Sequence, residues 1–320
     1  MKLYPLKLTP VLKNTIWGGH RIYDTFSIGQ SAEQSAEAWM LTLRPDGVNT
    51  IEKGEGKGMT LAEYAEKVGL QTLCGTNDFP LLIKIIDAND RLSVQVHPDD
   101  AYAKEHNLDA GKTEMWYVLE AEPGATLVSG LKEGISAEDM RKAVANGTCE
   151  ALLNAIPVKK GDCFYIPAGL VHAIGKGILI AEIQQNSNTT YRLYDYDRVG
   201  ADGKKRELHI EEAVEVIKTS FDLTDITVGQ TVSDSDGSTV KILCRSPFFE
   251  AQSVVLSGGH IHTPGARMTH VLCVRGEGAI CCEGVSYPLH KGDTYLLPAA
   301  LSGCTLETET EMECILSSAN

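Results

Sequence analysis

Two segments of the chain follow the same pattern, and this repeat constrains the fold more than any other feature. GDCFYIPAGLVH (161–172) and GDTYLLPAALSG (292–303) both begin with Gly-Asp, continue through mostly apolar or aromatic residues and then reach Pro-Ala. Upstream of them, TEMWYVLEAEPGA and THVLCVRGEGA echo each other in the same order. A pattern that recurs along a chain indicates one structural unit used twice. We therefore expect two related modules, the first ending its pattern in His172 and the second in Gly303.

The rest of the sequence predicts a mainly β fold with helical insertions. Short apolar runs such as PLLIKIIDA, EMWYVLEA and ILIAEIQQ are bounded by Gly, Pro, Asp and Asn, which is typical of a sandwich or barrel. Helices are expected over 59–69, where Thr60 can act as the N-cap, and over 136–147, where Ser136 can do so. A helical stripe of apolar residues predicts a third helix over 208–220.

The composition narrows the classes of partner and compartment. With 29 basic and 43 acidic residues the net charge is −14, which disfavours nucleic acid and anionic membranes as partners. A phosphorylated substrate would need a local basic pocket. The nine cysteines contain no CxxC pair, which favours free thiols in a reducing compartment. Because there is no long apolar run and no signal-peptide pattern, we predict a cytoplasmic protein.

One of the repeated segments carries a metal-site spacing. Gly161, Pro167, Gly169 and His172 have the spacing G-x5-P-x-G-x2-H, which resembles the second motif of the cupin superfamily. Proline ends a strand, and Gly169 permits a tight reversal that turns His172 back toward the mouth of a jelly-roll barrel. A barrel of this kind can hold a small ligand.

Two further strands place coordinating side chains on single faces. Gln95 and His97 are two residues apart in RLSVQVH, so they point the same way, and Lys112 and Glu114 do the same in GKTEMWYVL. If these strands are neighbours in one barrel, Gln95, His97, Glu114 and His172 converge. Two imidazoles and a carboxylate suit a zinc-like divalent metal, and glutamine adds a neutral oxygen.

These motifs divide the chain into two cupin modules. We predict a catalytic cupin domain over 1–227, with N-terminal strands and helical insertions. The polar segment VGQTVSDSDGS (228–238) is predicted to be a linker, and residues 239–320 a second, degenerate cupin domain.

The second module offers weaker chemistry. His260, His262 and His270 have a cupin-like spacing, but Gly303 stands where the first module has His172. We expect this module to pack against the first rather than to bind a second metal.

Longer stretches resemble one enzyme family. FPLLIKIIDANDRLSVQVHPDD, GKTEMWYVLEAEPGA, FYIPAGLVHAIGKG and AEIQQNSNTTYRLYDYDR are similar to the short bacterial form of type I phosphomannose isomerases. The similarity extends from LTPVLKNTIWGG to about residue 200, and the second module fits more loosely. The resemblance implies one Zn²⁺ per chain, held by Gln95, His97, Glu114 and His172. It also implies interconversion of mannose 6-phosphate and fructose 6-phosphate by proton transfer between C1 and C2 through an enediol(ate).

The resemblance also suggests catalytic residues. Lys112 is expected near the metal, where burial favours a neutral amine that can shuttle protons and contact the substrate. Arg192 resembles the family's active-site arginine and is assigned to the anionic part of the substrate or to the enediolate. Asn188 stands where family members carry an acid. Either Asn188 only hydrogen-bonds sugar hydroxyls, or Glu182 or Asp195 supplies the general base.

Two alternatives remain open at this point. Two histidines and one carboxylate also fit a non-haem metal oxygenase. The chain could instead be a metal-containing cupin that binds sugar or sugar phosphate without turnover. In the isomerase interpretation the partner is a small sugar phosphate, and the chain is a monomer or a weak homodimer.

Overall fold

The apolar runs of the sequence form strands that pack in layers of sheet. The computed structural model describes residues 2–200, 203–235 and 237–320. The strands before residue 200 are β1 (Leu6–Thr9), β2 (Val11–Lys13), β3 (Glu37–Leu41), β4 (Leu43–Arg44), β5 (Gly47–Val48), β6 (Thr50–Ile51), β7 (Leu81–Ala88), β8 (Val94–Val96), β9 (Glu114–Ala121), β10 (Thr126–Leu131), β11 (Leu153–Pro157), β12 (Cys163–Ile166), β13 (His172–Ile174), β14 (Ile178–Gln185) and β15 (Tyr191–Tyr194).

The helices lie in the insertions of the first module. They are α1 (Arg21–Phe26), α2 (Leu61–Val68), α3 (Leu70–Cys74), α4 (Asp100–Glu105), α5 (Ala137–Ala145) and α6 (Ile210–Val216), with a 3₁₀ helix at Cys149–Leu152. Among the described residues, none of these helices is both long and apolar enough to cross a bilayer.

The predicted caps of the first two long helices are confirmed. Thr60 and Glu63 form a reciprocal capping box on α2, and Ser136 and Asp139 form one on α5. The third helix is shorter than the predicted 208–220, because the chain is already extended at Ile217.

The second module is built from the remaining strands. They are β16 (Thr227–Ser235), β17 (Ser238–Arg245), β18 (Phe249–Pro264), β19 (Thr269–Cys282), β20 (Val285–His290), β21 (Thr294–Leu297) and β22 (Gly303–Ala319).

The segment 228–238, predicted to be a linker, has regular structure in its described part. Thr227–Ser235 forms β16 and pairs antiparallel with β17, while Asp236 lies outside the described residues. This strand carries polar residues on both faces because it is the outermost strand of its sheet and is largely exposed. The domain boundaries themselves stay a prediction.

The strands assemble into jelly-roll sheets rather than closed barrels. Sheet I has the order β12-β9-β14-β7-β3-β2, and sheet II has the order β11-β10-β13-β8-β15. Sheet III runs β16-β17-β18-β22-β19-β21-β1-β6, with β20 paired to β19. The mainly β, cupin-like architecture predicted from the sequence is therefore confirmed. The N-terminal strand β1 crosses to the second module, where it pairs with β21.

Sheet I is buried on both faces. On one face, Ile86, Val118 and Ile180 pack against Leu127 and Ile174 of sheet II. This contact forms the interior of the first module. The side chains that alternate with them face the second module, so strands β7 and β14 read as nearly continuous apolar runs.

The opposite face of sheet I joins the two modules. Met115 and Ile183 share one cluster with Leu272, Leu296 and Ile315 of sheet III. This contact agrees with the packing role expected for the second module.

Polar side chains interrupt the apolar interior at one end of the first module. Glu114, Trp116 and Val118 alternate along β9, and Ile178, Ile180 and Glu182 alternate along β14, so each set points toward sheet II. The interior thus changes from apolar to ionic along the same strands, and the functional site lies at the ionic end.

Asn49 ties several strands together through buried hydrogen bonds. Its side chain is fully buried, its Oδ1 accepts from Thr42 N–H at 2.6 Å, and its Nδ2 donates to the carbonyl oxygens of Thr9 and Trp39, both at 3.0 Å. These bonds satisfy backbone groups that lie away from water.

We predict that Asn49→Ala lowers the free energy of unfolding by about 2–4 kcal/mol, because buried backbone groups lose their partners. Urea unfolding followed by circular dichroism measures this loss. Asn77→Ala, at an exposed position that accepts a hydrogen bond from Gln71, is the matched control and should change stability by less than about 0.5 kcal/mol. Equal stability of the two variants would contradict the role of Asn49.

Candidate metal centre and active site

The predicted metal ligands meet between the two sheets of the first module. Gln95 in β8 and His172 in β13 are directly opposed partners in sheet II, and His97 follows the end of β8. Glu114 begins β9 of sheet I and reaches them across the interior. His97, Glu114 and His172 each offer a ligand atom within 4.8 Å of the others.

Gly169 provides the reversal that places His172. Its φ of +93° lies in the left-handed region, and a Cβ there would come within 2.9 Å of the Val216 carbonyl oxygen. Gly169 N–H also donates to the His97 carbonyl oxygen at 2.9 Å. The turn therefore links the two histidines, and the predicted tight reversal is confirmed.

The distances describe a compact and dry cluster. His97 Nε2 lies 3.4 Å from Glu114 Oε2, and His172 Nε2 lies 3.5 Å from Glu114 Oε1. Gln95 Nε2 lies 3.3 Å from His172 Nε2, so a half-turn of the amide brings Oε1 to the same point. The side chains of His97, His172 and Glu114 are at most 1% exposed.

The free polar atoms of this cluster fit a divalent cation. Both ring nitrogens of His97 and both carboxylate oxygens of Glu114 are buried without a hydrogen-bond partner among the described residues. His172 Nδ1 lies 2.8 Å from the Leu170 carbonyl oxygen, and a hydrogen bond there leaves Nε2 with a lone pair directed at Glu114. Buried polar groups normally have hydrogen-bond partners. A cluster of nitrogen and oxygen lone pairs without such partners therefore indicates a site for a ligand.

The protonation states suit the same role. Burial and the nearby Lys112 lower the pKa of His97 to about 3, and burial lowers the pKa of His172 as well. Burial alone would raise the pKa of Glu114, but Lys112, His97 and His172 hold it well below its usual range. Neutral imidazoles and an ionised carboxylate are the forms that bind metals.

Lys112 lies where the sequence placed it. It is 4% exposed, and its Nζ is 3.1 Å from Glu114 Oε2. Lys112 and Gln95 both also line an open cavity of about 280 Å³. The cluster of His97, Glu114 and His172 therefore adjoins this cavity, with Gln95 and Lys112 between them.

The cavity collects charge of both signs with a cationic excess. Asn188 and Thr190 lie on its wall, together with the apolar Trp17, Ile86 and Ile174. Its charged lining residues are Glu37, Lys84, Lys112, Glu182, Arg192 and Arg206. Four cations face two carboxylates in a chain whose net charge is −14.

Glu182, Lys84 and Glu37 form an ionic group on the floor of the cavity. Lys84 Nζ lies 3.2 Å from Glu182 Oε1 and 3.5 Å from Glu37 Oε2. Burial opposes the charge on Lys84, but the carboxylates prevail and raise its pKa. Trp116 Nε1–H donates to Glu182 Oε2 at 3.0 Å, and Glu182 Oε1 has no hydrogen-bond partner among the described residues.

The pKa of Glu182 is shifted in the opposite direction from that of Glu114. Burial, followed by repulsion from Glu114, raises the pKa of Glu182, and the nearby lysines offset this only in part. Glu182, one of the two carboxyl groups suggested as a base, therefore lines the cavity with a raised pKa.

Asp195, the other suggested base, is committed to ion pairs. Arg206 Nε donates to Asp195 Oδ2 at 2.7 Å, and both Arg206 Nη2 and Arg198 Nη2 contact Asp195 Oδ1. Asp195 is absent from the cavity wall, while Arg206, which it holds, is part of that wall.

Arg192 reaches the same wall. Its Nη1 donates to the Glu207 carbonyl oxygen at 2.8 Å, while its Nε is buried without a hydrogen-bond partner in the described part of the chain. Burial and the nearby charge of Arg206 lower the pKa of Arg192. The two guanidinium groups therefore lie close together on the wall of the cavity. An anionic group bound there would relieve their repulsion.

Sequence reasoning missed Lys84, Glu37 and Arg206. The signal for Lys84 was present, since a lysine inside the apolar run LLIKIIDA has to be paired. Asn188 lines the cavity but is exposed, and its Nδ2 donates to Asp46 Oδ2 at 3.1 Å.

The histidines of the second module do not form a comparable cluster. His270 is fully buried and bonds Thr294 Oγ1 at 2.6 Å, whereas His260 and His262 are exposed. A Cβ on Gly303 would come within 2.9 Å of the His262 ring, so glycine makes room for that imidazole.

Family models match both modules. Residues 5–124 match the model described as "Phosphomannose isomerase type I, catalytic domain", and residues 239–319 match "Mannose-6-phosphate isomerase, cupin domain". Gln95, His97, Lys112 and Glu114 lie inside the first match. His172, Glu182 and Arg192 lie between the two.

Full-length relatives cover the whole site. A mannose-6-phosphate isomerase from Streptococcus mutans is 40% identical over 99% of this chain and 98% of its own, and one from Bacillus subtilis is 39% identical over 99% of both. The crystal structure of the mannose 6-phosphate isomerase from Bacillus subtilis matches with a TM-score of 0.88 at 34% identity, covering 98% of this chain and 99% of that one. On these likenesses, the chain belongs to the type I phosphomannose isomerase family, and it is an isomerase.

Proposed function

We propose that this protein is a zinc-dependent mannose-6-phosphate isomerase that interconverts mannose 6-phosphate and fructose 6-phosphate. The observation that carries the proposal is the continuity of the site. A buried cluster of His97, Glu114 and His172 adjoins, through Gln95 and Lys112, a cavity with a cationic excess. An aldose–ketose isomerase for a sugar phosphate needs both features within the length of one sugar.

The cluster would hold one zinc ion through His97, Glu114 and His172, with Gln95 as the fourth ligand. Two imidazoles, a carboxylate and a neutral amide leave a bound divalent ion with a residual positive charge. When bound, zinc supplies Lewis acidity that polarises the oxygens on C1 and C2 of the sugar. A neutral fourth ligand preserves more of that charge than a second carboxylate would.

Arg192 and Arg206 would bind the phosphate end of the substrate. Guanidinium groups recognise phosphate in a bidentate manner, and Arg192 keeps an unpartnered buried Nε for this purpose. Asp195 orients Arg206 through its own pair of contacts. Asn188 and Thr190 lie on the same wall and can hydrogen-bond the hydroxyl groups between phosphate and C2.

Glu182 would move the proton between C1 and C2. It lies in the cavity, its pKa is raised, and its Oε1 is paired with Lys84 Nζ at 3.2 Å. Lys84, whose pKa is raised, stays protonated and stabilises the ionised form of Glu182. The proton that Glu182 takes from C2 is delivered to C1, and this delivery restores the carboxylate. Lys112 places a further donor beside the metal cluster, where it can hydrogen-bond an oxygen of the reacting carbons.

We propose further that the enzyme acts in the cytoplasm on a freely diffusing sugar phosphate, as a monomer or a weak homodimer. The net charge of −14 supports a partner that is neither nucleic acid nor an anionic membrane.

We predict that the purified protein converts mannose 6-phosphate to fructose 6-phosphate in a coupled assay, that a chelator removes at least about 90% of the activity, and that added zinc restores it. His97→Ala should contain no stoichiometric zinc and should show no rescue, because a ligand is missing. His290→Ala, at an exposed histidine of the second module, is the matched control and should behave as wild type.

Three outcomes would overturn this proposal in different ways. Isomerisation that resists chelation would exclude the metal. Retained zinc without isomerisation would instead favour a sugar-binding protein, and iron with oxygen uptake would favour an oxygenase.

We predict that Glu182→Gln lowers kcat by about 10²–10⁴-fold, because an amide cannot accept the proton. Zinc content should stay at one per chain. In D₂O, NMR should show deuterium entering C1 of fructose 6-phosphate with wild type and not with the variant. Glu211→Gln, at an exposed glutamate of α6, serves as the control. Undiminished exchange in Glu182→Gln would assign the base to another group.

A further inference from the structure

We propose that His209 is a positioning residue that fixes Arg192 for the phosphate group of the substrate. The proposal rests on the phosphate-binding role given above to Arg192. His209 lies outside the cavity wall, so it acts through Arg192 and not on the substrate.

Arg192 occupies an edge strand that needs a second partner. Strand β15 is the last strand of sheet II, and on its inner side Arg192 pairs with Gln95 of β8. The register shifts just after this pair, between Arg192 and Tyr194. An edge strand that is irregular at this point would fray unless its outer backbone groups were satisfied.

His209 satisfies those outer groups. Its N–H donates to the Arg192 carbonyl oxygen at 2.8 Å, and its Nδ1 accepts from the Arg192 N–H at 3.3 Å. The imidazole nitrogen thus takes the place of the carbonyl group that a neighbouring strand would supply. Both backbone groups of Arg192 are bonded to this one residue.

The same segment also holds the guanidinium group. The carbonyl oxygen of Glu207, two residues before His209, accepts from Arg192 Nη1 at 2.8 Å. Arg206 precedes Glu207 and carries the second guanidinium of the cavity wall. Residues 206–209 therefore set the spacing between the two phosphate-binding groups.

Helix α6 anchors this segment to the sheet. It begins directly after His209, and its Ala213 and Val216 are buried in one cluster with Val96 and Leu193. Val96 and Leu193 belong to β8 and β15, the strands that carry Gln95 and Arg192. The position of His209 is thereby fixed relative to the metal cluster.

Three substitutions separate the hydrogen bond from general packing. In His209→Asn, Oδ1 occupies the place of Nδ1 and can still accept from Arg192 N–H. In His209→Gln, the amide oxygen is one bond further out, near the place of Nε2, and cannot. His209→Ala removes the acceptor altogether.

We expect His209→Ala and His209→Gln to raise the KM for mannose 6-phosphate by about 3–10-fold, the effect of one hydrogen bond on a group that binds ground and transition states alike. The kcat should stay within about twofold of wild type, and so should the zinc content. His209→Asn should return KM to within about twofold of wild type. His106→Ala, at an exposed histidine that stacks on Tyr102, is the control.

Binding of inorganic phosphate, followed by phosphorus NMR line broadening, tests the positioning role without turnover. His209→Ala and His209→Gln should weaken it by the same factor as KM, and His209→Asn should not. This pattern would persist if the protein bound sugar phosphates without isomerising them, so the two proposals can fail separately. Unchanged phosphate binding in His209→Ala and His209→Gln, or equal impairment of all three variants, would overturn the role of His209.

Discussion

The buried carboxylate of Glu114 is the constraint on which the site depends. It is fully buried between two sheets, where an isolated charge would be too costly to keep. Lys112 compensates it on one side, and the rings of His97 and His172 approach it on the other. Because these contacts come from strands of both sheets, the charge also fixes how the two sheets of the first module face each other.

A second ionic group lies further along the same interior. Lys84 holds Glu37 and Glu182 together, and Trp116 links this group to β9. The pKa values of Glu114 and Glu182 are shifted in opposite directions by their neighbours. The opposite shifts of these two buried carboxyl groups fit the different tasks that we propose for them, one to hold a cation and the other to exchange a proton.

Sequence periodicity was sufficient to find the centre of the site but not its surroundings. Gln95 and His97 share a face because strand side chains alternate, and the turn at Gly169 could be inferred from its spacing to His172. Arg206 was missed because its role depends on which strands and loops are neighbours, and pairing of distant segments is not written in local pattern. Lys84 carried a signal as a lysine in an apolar run, but its partners Glu37 and Glu182 come from other strands. The strand at Thr227–Ser235 was not predicted because an exposed edge strand carries polar residues on both faces.

The function that we propose requires one zinc ion between the two sheets of the first module. Anomalous diffraction at the zinc edge, from crystals of protein purified without added metal, tests it most directly. The account predicts a single strong peak within about 2.0–2.2 Å of a nitrogen of His97, a nitrogen of His172 and an oxygen of Glu114. A structure with these three side chains turned apart, or with its zinc peak elsewhere in the molecule, would contradict it.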